Sequence, residues 1–480
     1  MTTIDYDKVF GSDSGEDEDL QILNDYFVDL PLFNKFYDSS KPLQIVRGRK
    51  GIGKSTLLKK LEFRLKEVTN SSNIVISTTG NQLLGLSEFK GNDQAYYENY
   101  WKQVICKRIC SEIGTKISFA LNDNSISMVE SAEIDGFKDL NIVSSLTQRM
   151  GSALKGFVGL DVGIDAKSVR NPIESLRRFQ EEKEWTVWLL IDDIDVKYID
   201  DEITQQKIGA FFSAIRSLAF SVKGLNIRTS VRTDVWKNLR KMEDQDKLRQ
   251  YVTDIKWGDN DLKHIFVKKM LSYLQRTNYP EARFWSEDAN YYDIVNYFFE
   301  QQIVWDGHKS DVFVPIKILA GGRPRWIGQL CKAAGEKANG KKIGLTAINL
   351  AMYDFSQERV SDIEKEHRHQ FQDLQKVIHV FRAGKREYNM HQLNGLISTQ
   401  YIDKLGTSKP PTVNGESFSD VSQISNLLFQ VDFLSGCRKS NLKRYVKFEN
   451  EPELFLSPEN SLNNINWTIN SSYRNHLGIP

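Results

Sequence analysis

Eight consecutive residues near the start of the chain have the types and spacing that bind a phosphate group. They follow the pattern glycine, four residues, then Gly-Lys-Ser. Small residues let successive backbone N–H groups turn inward around an anion, and the helix that follows presents its positive end to that anion. Lys54 would reach the terminal phosphates, and the Ser55 hydroxyl would bind magnesium. The sequence therefore predicts a site for ATP and Mg²⁺ at Gly48, Arg49, Lys50, Gly51, Ile52, Gly53, Lys54, Ser55 and Thr56.

The neighbouring segments favour this interpretation over a chance match of the pattern. A short apolar stretch, Pro42 to Arg47, precedes the loop and is typical of a strand. Leucines at positions 57, 58, 61 and 65 follow the loop at helical spacing. A strand, a loop with glycines and a helix, in this order, are the context that a phosphate-binding loop requires.

A group of acidic residues follows another apolar stretch. Trp188 to Ile191 leads directly into Asp192 and Asp193, and Asp195 comes two residues later. Acids at the carboxyl end of a buried strand lie where magnesium and the attacking water are held. We predict that Asp192 is the carboxylate on the magnesium side, which reaches the ion through water or through Ser55, and that Asp193 polarises the attacking water. Asp195 is a weaker candidate, because it would equally serve to cap the next turn.

Two arginines are candidates to contact the terminal phosphate of a bound nucleotide. Arg232 follows the strand-like segment Asn226 to Val231, where a cation would face the phosphate and report its loss. Arg325 follows Gly321, Gly322 and Pro324, which together make a good helix start. For each arginine the alternative is an ordinary solvated position, at a strand end or at a helix start.

Strands alternate with helices over the first half of the chain, and helical patterns prevail after it. The alternation predicts an α/β fold, a P-loop NTPase core with a mainly parallel sheet. We expect a helical lid and a further domain after this core. The predicted boundaries are an acidic flexible N-terminus at 1–20, the ATPase core at 21–255 with an insertion at about 121–180, the lid at 256–355 and a C-terminal domain at 356–480.

The composition is that of a soluble globular protein with a neutral balance of charge. Of the 480 residues, 40% are hydrophobic and 26% charged, and the net charge is +1. No global basic field would attract nucleic acid, although a local basic face is not excluded. No apolar run is long enough for a membrane span, and no signal peptide is evident. The four scattered cysteines are expected to be buried free thiols, and we expect a cytoplasmic protein.

Together, the loop, the acids and the two arginines resemble the AAA+ and STAND group of P-loop ATPases, including its KAP branch. Arg232 stands where STAND proteins have a first-sensor arginine, and Gly322 to Arg325 resembles their second-sensor motif. The segments 26–29 and 46–51 resemble prokaryotic P-loop ATPases often found beside antiviral defence genes. That resemblance implies a winged-helix-like C-terminal domain, with which residues 377–400, 421–433 and 444–448 are consistent.

The resemblance implies an ATPase that hydrolyses ATP to switch its own assembly or a partner effector, in antiviral defence. It also implies a homo-oligomer, a protein effector partner and no membrane. The alternative is a DNA-binding AAA+ ATPase of the initiator or loader type. Nucleic acid is not favoured, because Ser419 to Phe433 contains no basic residue. Lys439, Lys443, Arg444 and Lys447 would have to supply a basic wing. A small-molecule kinase would not need the helical lid and the C-terminal domain.

Overall fold

The computed structural model describes residues 3–15, 17–67, 73–84, 93–116, 173, 176–177, 180, 185–195, 198, 201–239, 245–305, 307–405, 411–439, 444–461 and 464–480. The chain divides into two compact units. The core unit comprises Asp29–Lys50 and Lys54–Lys256, and the C-terminal unit comprises Met1–Val28, Gly51–Gly53 and Trp257–Pro480. Apart from single residues near 173–180, the predicted insertion at 121–180 lies outside the described residues.

Five parallel strands form the sheet of the core unit, in the spatial order β2-β3-β4-β1-β5. In the central strands β3 and β4, every residue is buried except the first of β3 and the last of β4, as expected when helices cover both faces of a parallel sheet. This architecture confirms the predicted P-loop core. The strands are β1 (Leu43–Gly48), β2 (Asn73–Thr79), β3 (Thr186–Asp192), β4 (Leu225–Arg232) and β5 (Val252–Asp254).

Two long helices of the core unit pack against each other. The rings of Trp101 and Phe211 meet edge to face at 5.3 Å between centroids, and the Trp101 indole donates to the Lys207 carbonyl over 2.8 Å. Residues 101 and 211 belong to α6 and α7. The helices are numbered in chain order through the whole chain, and those of the core unit are α3 (Asn34–Tyr37), α4 (Lys54–Glu67), α5 (Gly80–Leu84), α6 (Gln94–Lys116), α7 (Glu202–Ser221), α8 (Thr233–Asn238) and α9 (Gln245–Leu248).

The C-terminal unit is mainly helical in its first part, as predicted for the lid. None of the helices in the described part of the chain is long and apolar enough to cross a membrane. The helix Leu345–His367 runs through the predicted boundary between residues 355 and 356. The elements of this part are α10 (Asp259–Arg276), α11 (Tyr291–Phe298), β6 (Ile303–Trp305), β7 (His308–Ser310), α12 (Phe313–Leu319), α13 (Pro324–Lys337) and α14 (Leu345–His367).

The last part of this unit has the order of elements of a winged helix, which confirms that prediction. A helix, a short strand and two helices are followed by antiparallel strands, and the four-stranded sheet has the order β12-β11-β13-β8. The elements are α15 (Leu374–Val380), β8 (Glu387–Tyr388), α16 (Met390–Ile397), β9 (Thr412–Val413), β10 (Glu416–Ser417), α17 (Val421–Gln430), β11 (Leu434–Arg438), β12 (Arg444–Val446), α18 (Pro458–Ser461), β13 (Ile465–Ile469) and α19 (Ser471–Arg474).

The N-terminal segment is packed, contrary to the expectation of a flexible acidic start. It contains α1 (Tyr6–Phe10) and α2 (Leu20–Tyr26). Tyr6 and Phe10 are buried in the core of the C-terminal unit, and the Tyr6 hydroxyl donates to the Phe298 carbonyl over 2.7 Å. Lys332 forms an ion pair with Asp13. The prediction rested on the acidic composition and did not take account of the short apolar face of α1. This face is buried, and α1 packs against α13 and α10.

Candidate nucleotide-binding site

The predicted phosphate-binding loop connects a strand to a helix. β1 ends at Gly48 and α4 begins at Lys54. Gly51 and Gly53 have positive φ angles of 77° and 105°, a backbone conformation in which a side chain is strained. The loop conformation therefore requires glycine at Gly53, which belongs to the pattern, and at Gly51, one of its four variable positions. Ser55 is half-buried in the first turn of α4, followed by Thr56, also half-buried.

The Lys54 side chain is buried inside this loop. Its Nζ donates to the carbonyl oxygens of Gly48 and Arg49, each over 3.1 Å. Both acceptors are loop backbone, so the ammonium lies on the inner side of the turn. Arg49 is half-buried and Lys50 exposed, which leaves Lys54 as the buried cation of the loop. Among the described residues the hydrogen-bond acceptors of this ammonium are neutral carbonyl oxygens, so its charge can attract a phosphate.

Asp192, at the end of β3, is buried and held by its neighbour on β4. The Ser230 hydroxyl donates to Asp192 Oδ1, and the Asp193 N–H donates to the same oxygen over 3.0 Å. These hydrogen bonds fix the carboxylate at the carboxyl end of the sheet. Asp192, the acid predicted to lie on the magnesium side, is therefore at the carboxyl end of the sheet, as the sequence predicted.

Asp193 has an unusual backbone conformation. Its φ is 50°, a left-handed value that asparagine and aspartate adopt more readily than most residues. Gly80 lies against this turn: a Cβ at Gly80 would be 2.7 Å from the Cα of Ile194 and 2.8 Å from the Asp193 carbonyl oxygen. The turn after β3 is thus packed closely against the backbone at Gly80.

Asp195 is fully buried, and it binds the backbone of Arg232. Its Oδ2 accepts from the Arg232 N–H over 2.6 Å. Burial raises the pKa of Asp195 to about 6, and the positive charges of Arg232 and Lys54 offset part of that rise. Asp195 therefore connects the turn after β3 to the end of β4, a larger structural role than the capping function considered from the sequence.

We expect the Asp195→Asn variant to gain stability relative to the wild type as the pH rises from about 4 to about 7. The pKa is 3.8 ordinarily and about 6 in the folded chain. The folded state therefore binds more protons than the unfolded state in this range, so the wild type loses stability as pH rises. About two pKa units correspond to about 3 kcal/mol. Urea unfolding of both proteins with EDTA measures the difference, and a pH-independent difference would contradict the raised pKa.

Arg232 lies beside the loop, but its guanidinium is paired with an acid. Gly48 and Arg232 are directly opposite in the β1–β4 register. The Arg232 Nε donates to Asp234 Oδ1 over 3.2 Å, and Nη2 contacts the other oxygen of the same carboxylate. The structure thus places this arginine at the predicted level of the sheet, and contact with a phosphate would require it to exchange or share Asp234.

Arg325 belongs to the C-terminal unit, as do Gly51–Gly53 of the loop. It is the second residue of α13, which begins at Pro324 as predicted. Its N–H donates to the Gly51 carbonyl over 3.4 Å, and a Cβ at Gly51 would be 3.2 Å from the Arg325 Cβ. In the same unit the Trp257 indole donates to the Ile52 carbonyl over 2.7 Å. Two side chains of this unit thus lie against the tip of the loop.

Sequence reasoning missed the roles of Ser230, Asp195, Trp257 and Arg228. Ser230 holds Asp192, and the sequence does not distinguish it from the other buried polar residues of β4, which include Asn226 and Thr229. Arg228 is fully buried in the same strand, where Nε donates to the Phe36 carbonyl over 2.6 Å and Nη2 to the Asp38 carbonyl over 2.7 Å. These bonds tie β4 to the segment that enters β1. Arg228 therefore serves the fold of the site.

The donor atoms of Ser55 and Asp192 suit magnesium, a hard cation that prefers oxygen ligands. Magnesium bound with a nucleotide needs only one or two protein ligands, because phosphates and water supply the others. In the described part of the chain no three His, Cys, Asp or Glu side chains cluster as a metal site. The described cysteines, including Cys106 and Cys110, are buried free thiols, as expected.

Comparison with known proteins yields distant structural similarity. No protein-family model matches the chain, and no curated protein matches it. It is similar to the crystal structure of Cdc6p from Pyrobaculum aerophilum, with 12% identity, 96% of this chain and 98% of that chain covered and a TM-score of 0.36. It is also similar to ORC2 of Aeropyrum pernix in ADPNP–ADP complexes, with 10% identity, 97% and 93% covered and a TM-score of 0.41. Similarity this distant carries no argument about activity, for which the geometry of the site is the guide.

Proposed function

We propose that this chain is a magnesium-dependent ATPase with an AAA+-like core. The observation that carries the proposal is the meeting of three strand ends in one parallel sheet. β1 leads into the phosphate-binding loop, β4 ends opposite Gly48 at Arg232, and β3 ends in the buried, hydrogen-bonded Asp192. Anion-binding loop, metal-binding acid and cation at one sheet edge are the parts that phosphoryl transfer uses.

Each residue has a role in this proposal. The Lys54 ammonium and the N–H groups of the loop neutralise the phosphates, which favours binding and the transition state. Ser55 and Asp192 would hold the magnesium ion, which neutralises phosphate charge. Asp193, on its fixed turn, orients a water molecule for attack and accepts its proton. Arg232 and Arg325 are the candidates to bind the terminal phosphate.

The proposal is tested by phosphate release from ATP with the purified full chain. We expect turnover with Mg²⁺ and none with EDTA. The carboxylates of Asp192 and Asp193 and the phosphates of ATP are all negatively charged, so a cation between them is needed for the reaction. ADP should bind without turnover. Equilibrium binding of a labelled ATP analogue separates binding from hydrolysis. A protein that binds neither ATP nor ADP at millimolar concentration would contradict the proposal.

We extend the proposal to a switch in which Arg325 reports the terminal phosphate. What supports this is the contact of the Arg325 N–H with the Gly51 carbonyl in the loop. One charge-assisted contact to the γ-phosphate is worth roughly 1.5 to 3 kcal/mol, which shifts a conformational equilibrium about 10- to 150-fold. The ATP form would thereby differ in domain arrangement from the ADP form.

The Arg325→Ala variant is expected to keep most of the ATP affinity and to lose the conformational response to ATP. The loop and Lys54 supply the main part of the binding, while the variant lacks the cation that detects the γ-phosphate. Limited proteolysis with ATP, with ADP and without nucleotide measures the response. Arg283→Ala, which changes another arginine of the same unit, is the matched control. A nucleotide-dependent pattern that is the same in wild type and Arg325→Ala would contradict this role.

The second candidate function is that of a DNA-handling ATPase, as in the alternative predicted from the sequence. The winged-helix order of elements favours it, together with exposed Arg382, Lys385 and Arg386 in the turn between α15 and β8. By contrast, α17 carries no basic residue and none of its residues is exposed. Of the predicted basic wing, Lys447 donates to the Gly321 carbonyl over 2.7 Å, and Lys443 lies outside the described residues. Any DNA contacts would therefore go to phosphates rather than to bases.

This second candidate predicts salt-dependent binding without sequence preference. Fluorescence anisotropy with two unrelated duplexes should give equal affinities that fall with salt. Changing Arg382, Lys385 and Arg386 to alanine together should lower the slope of log K against log salt by about 2 to 3. An unchanged slope would contradict these contacts.

A homo-oligomer, a protein effector and an antiviral context remain predictions from the resemblance. Light scattering with ATP and with ADP tests the prediction of a homo-oligomer.

A further inference from the structure

The helix that carries Arg325 begins after a turn of two glycines in the left-handed region. Gly321 and Gly322 have φ angles of 61° and 71°. The turn is closed by the Gly322 N–H, which donates to the Lys317 carbonyl over 3.0 Å. A side chain at either glycine would be strained. Since the turn sets the direction of the first residues of α13, whatever holds the turn also positions Arg325.

Three residues of the winged-helix part hold this turn; we call Asp432, Lys447 and Ser472 the clamp. Lys447 Nζ donates to the Gly321 carbonyl over 2.7 Å. The Ser472 hydroxyl donates to the Leu319 carbonyl over 2.7 Å, in a buried position. Both acceptors are backbone atoms at the start of the turn. The clamp therefore fixes the path of the chain there, independently of the side chains in the turn.

The third clamp contact is a buried ion pair. Arg323 Nη2 lies 3.4 Å from Asp432 Oδ2, and both side chains are less than a tenth exposed. The guanidinium also lies over the Trp326 ring, 4.0 Å from its centroid. Arg323 directly precedes α13, so this pair fixes the helix at its first turn. A buried pair is strongly sensitive to the loss of one partner, since the other charge then remains without compensation.

The three clamp residues lie next to three different strands of the winged-helix sheet. Asp432 connects α17 to β11, Lys447 follows β12, and Ser472 lies in α19 after β13. Asp432 itself has a left-handed φ of 68°, so its position depends on the geometry of that connection. A change in the packing of α17 or of the β11–β12 hairpin would reach the turn through more than one bond at once.

We propose that Asp432, Lys447 and Ser472 are positioning residues for Arg325, through which the winged-helix part controls ATP turnover. This inference rests on the proposed ATPase function. It predicts that loosening the clamp lowers the rate of hydrolysis while ATP still binds, because the phosphate-binding loop is intact and only the arginine is misplaced. A ligand of the winged-helix part would act on turnover by the same route.

The test is the Lys447→Met variant, which removes the ammonium and keeps an unbranched apolar side chain. We expect kcat to fall about tenfold with the ATP dissociation constant within about threefold of wild type. Lys447→Arg, which retains a donor, should restore most of the loss. Lys439→Met changes an exposed lysine of the same hairpin and should leave kcat unchanged. Thermal unfolding of each variant shows whether the fold is intact, and Ser472→Ala replaces Lys447→Met if the latter does not fold.

A double-mutant cycle with Arg325→Ala separates positioning from general destabilisation. If the clamp acts through Arg325, Lys447→Met should have little further effect on kcat in the Arg325→Ala background. Equal fold-losses in both backgrounds, or wild-type kcat in both clamp variants, would overturn the inference while the ATPase assignment stands. A wild-type chain that neither binds nor hydrolyses ATP would overturn both.

Discussion

Lys54→Ala should abolish tight binding of ATP, with a dissociation constant at least about a hundredfold above that of the wild type. The Lys54 ammonium is buried in the loop, where it donates to the carbonyl oxygens of Gly48 and Arg49. On nucleotide binding its charge would pair with phosphate oxygens, each contact being worth roughly 1.5 to 3 kcal/mol. Alanine leaves those phosphates facing backbone carbonyls with no cation between them.

Equilibrium binding of labelled ATP measures this effect. Lys66→Ala is the matched control, because it changes an exposed lysine on the same helix that pairs with Glu62. That control should bind ATP like the wild type. Far-UV circular dichroism and thermal unfolding establish that Lys54→Ala is folded. An affinity within threefold of wild type in a folded variant would contradict the assignment of the phosphate-binding loop.

The sequence was sufficient to predict where the residues of the candidate site lie in the fold, wherever that position depends on local spacing. The loop is eight consecutive residues, and each requirement is met within them: glycines where φ is positive, and the lysine where the helix starts. The acids after β3 were likewise found because a buried strand has a recognisable composition. Each of these features depends on covalent spacing rather than on tertiary contacts.

Contacts between distant segments could not be predicted in the same way. Strand β1 pairs with β4 and β5, and nothing in the sequence specifies that order. Strand β3 pairs with β4, and the bond between Asp195, just after β3, and Arg232, at the end of β4, follows from that pairing. Lys447 resembled a residue of a basic wing, because Lys443 and Arg444 precede it closely in the sequence, but its ammonium binds the turn at Gly321. For a long side chain near the end of a strand, the sequence does not indicate which distant group it will bind.

The N-terminal segment is another case in which tertiary contacts could not be predicted from the sequence. Acidic residues dominate its composition, and composition predicts a solvated chain. The apolar residues Tyr6, Val9 and Phe10 are few, but they lie on one face of a short helix and are buried. A helix of five residues is not stable alone. It forms because the C-terminal unit supplies the surface that it covers.

Asp193→Asn is expected to keep ATP bound while it lowers the rate of hydrolysis about 10²- to 10⁴-fold, the contribution of a general base. The backbone conformation at this position makes asparagine the right replacement. Asp193 has a φ of 50°, which asparagine tolerates and alanine tolerates poorly. Asparagine thus retains the turn beside Gly80 and removes only the negative charge. Single-turnover hydrolysis with saturating ATP, together with the dissociation constant of ATP, measures the two effects separately.

Asp192→Asn should have a different signature, and the comparison assigns the two acids. Asp192 accepts hydrogen bonds from the Ser230 hydroxyl and the Asp193 N–H, which an amide oxygen can still accept. The charge that would hold magnesium is lost, so this variant should need more Mg²⁺ for half-maximal turnover, whereas Asp193→Asn should not.

If Asp193→Asn hydrolyses ATP at the wild-type rate, another acid orients the water. Asp195 is poorly placed for that task, because it is fully buried and its Oδ2 is occupied by the Arg232 N–H. An acid from a second copy of the chain is then the next candidate, and turnover that rises with protein concentration would identify it.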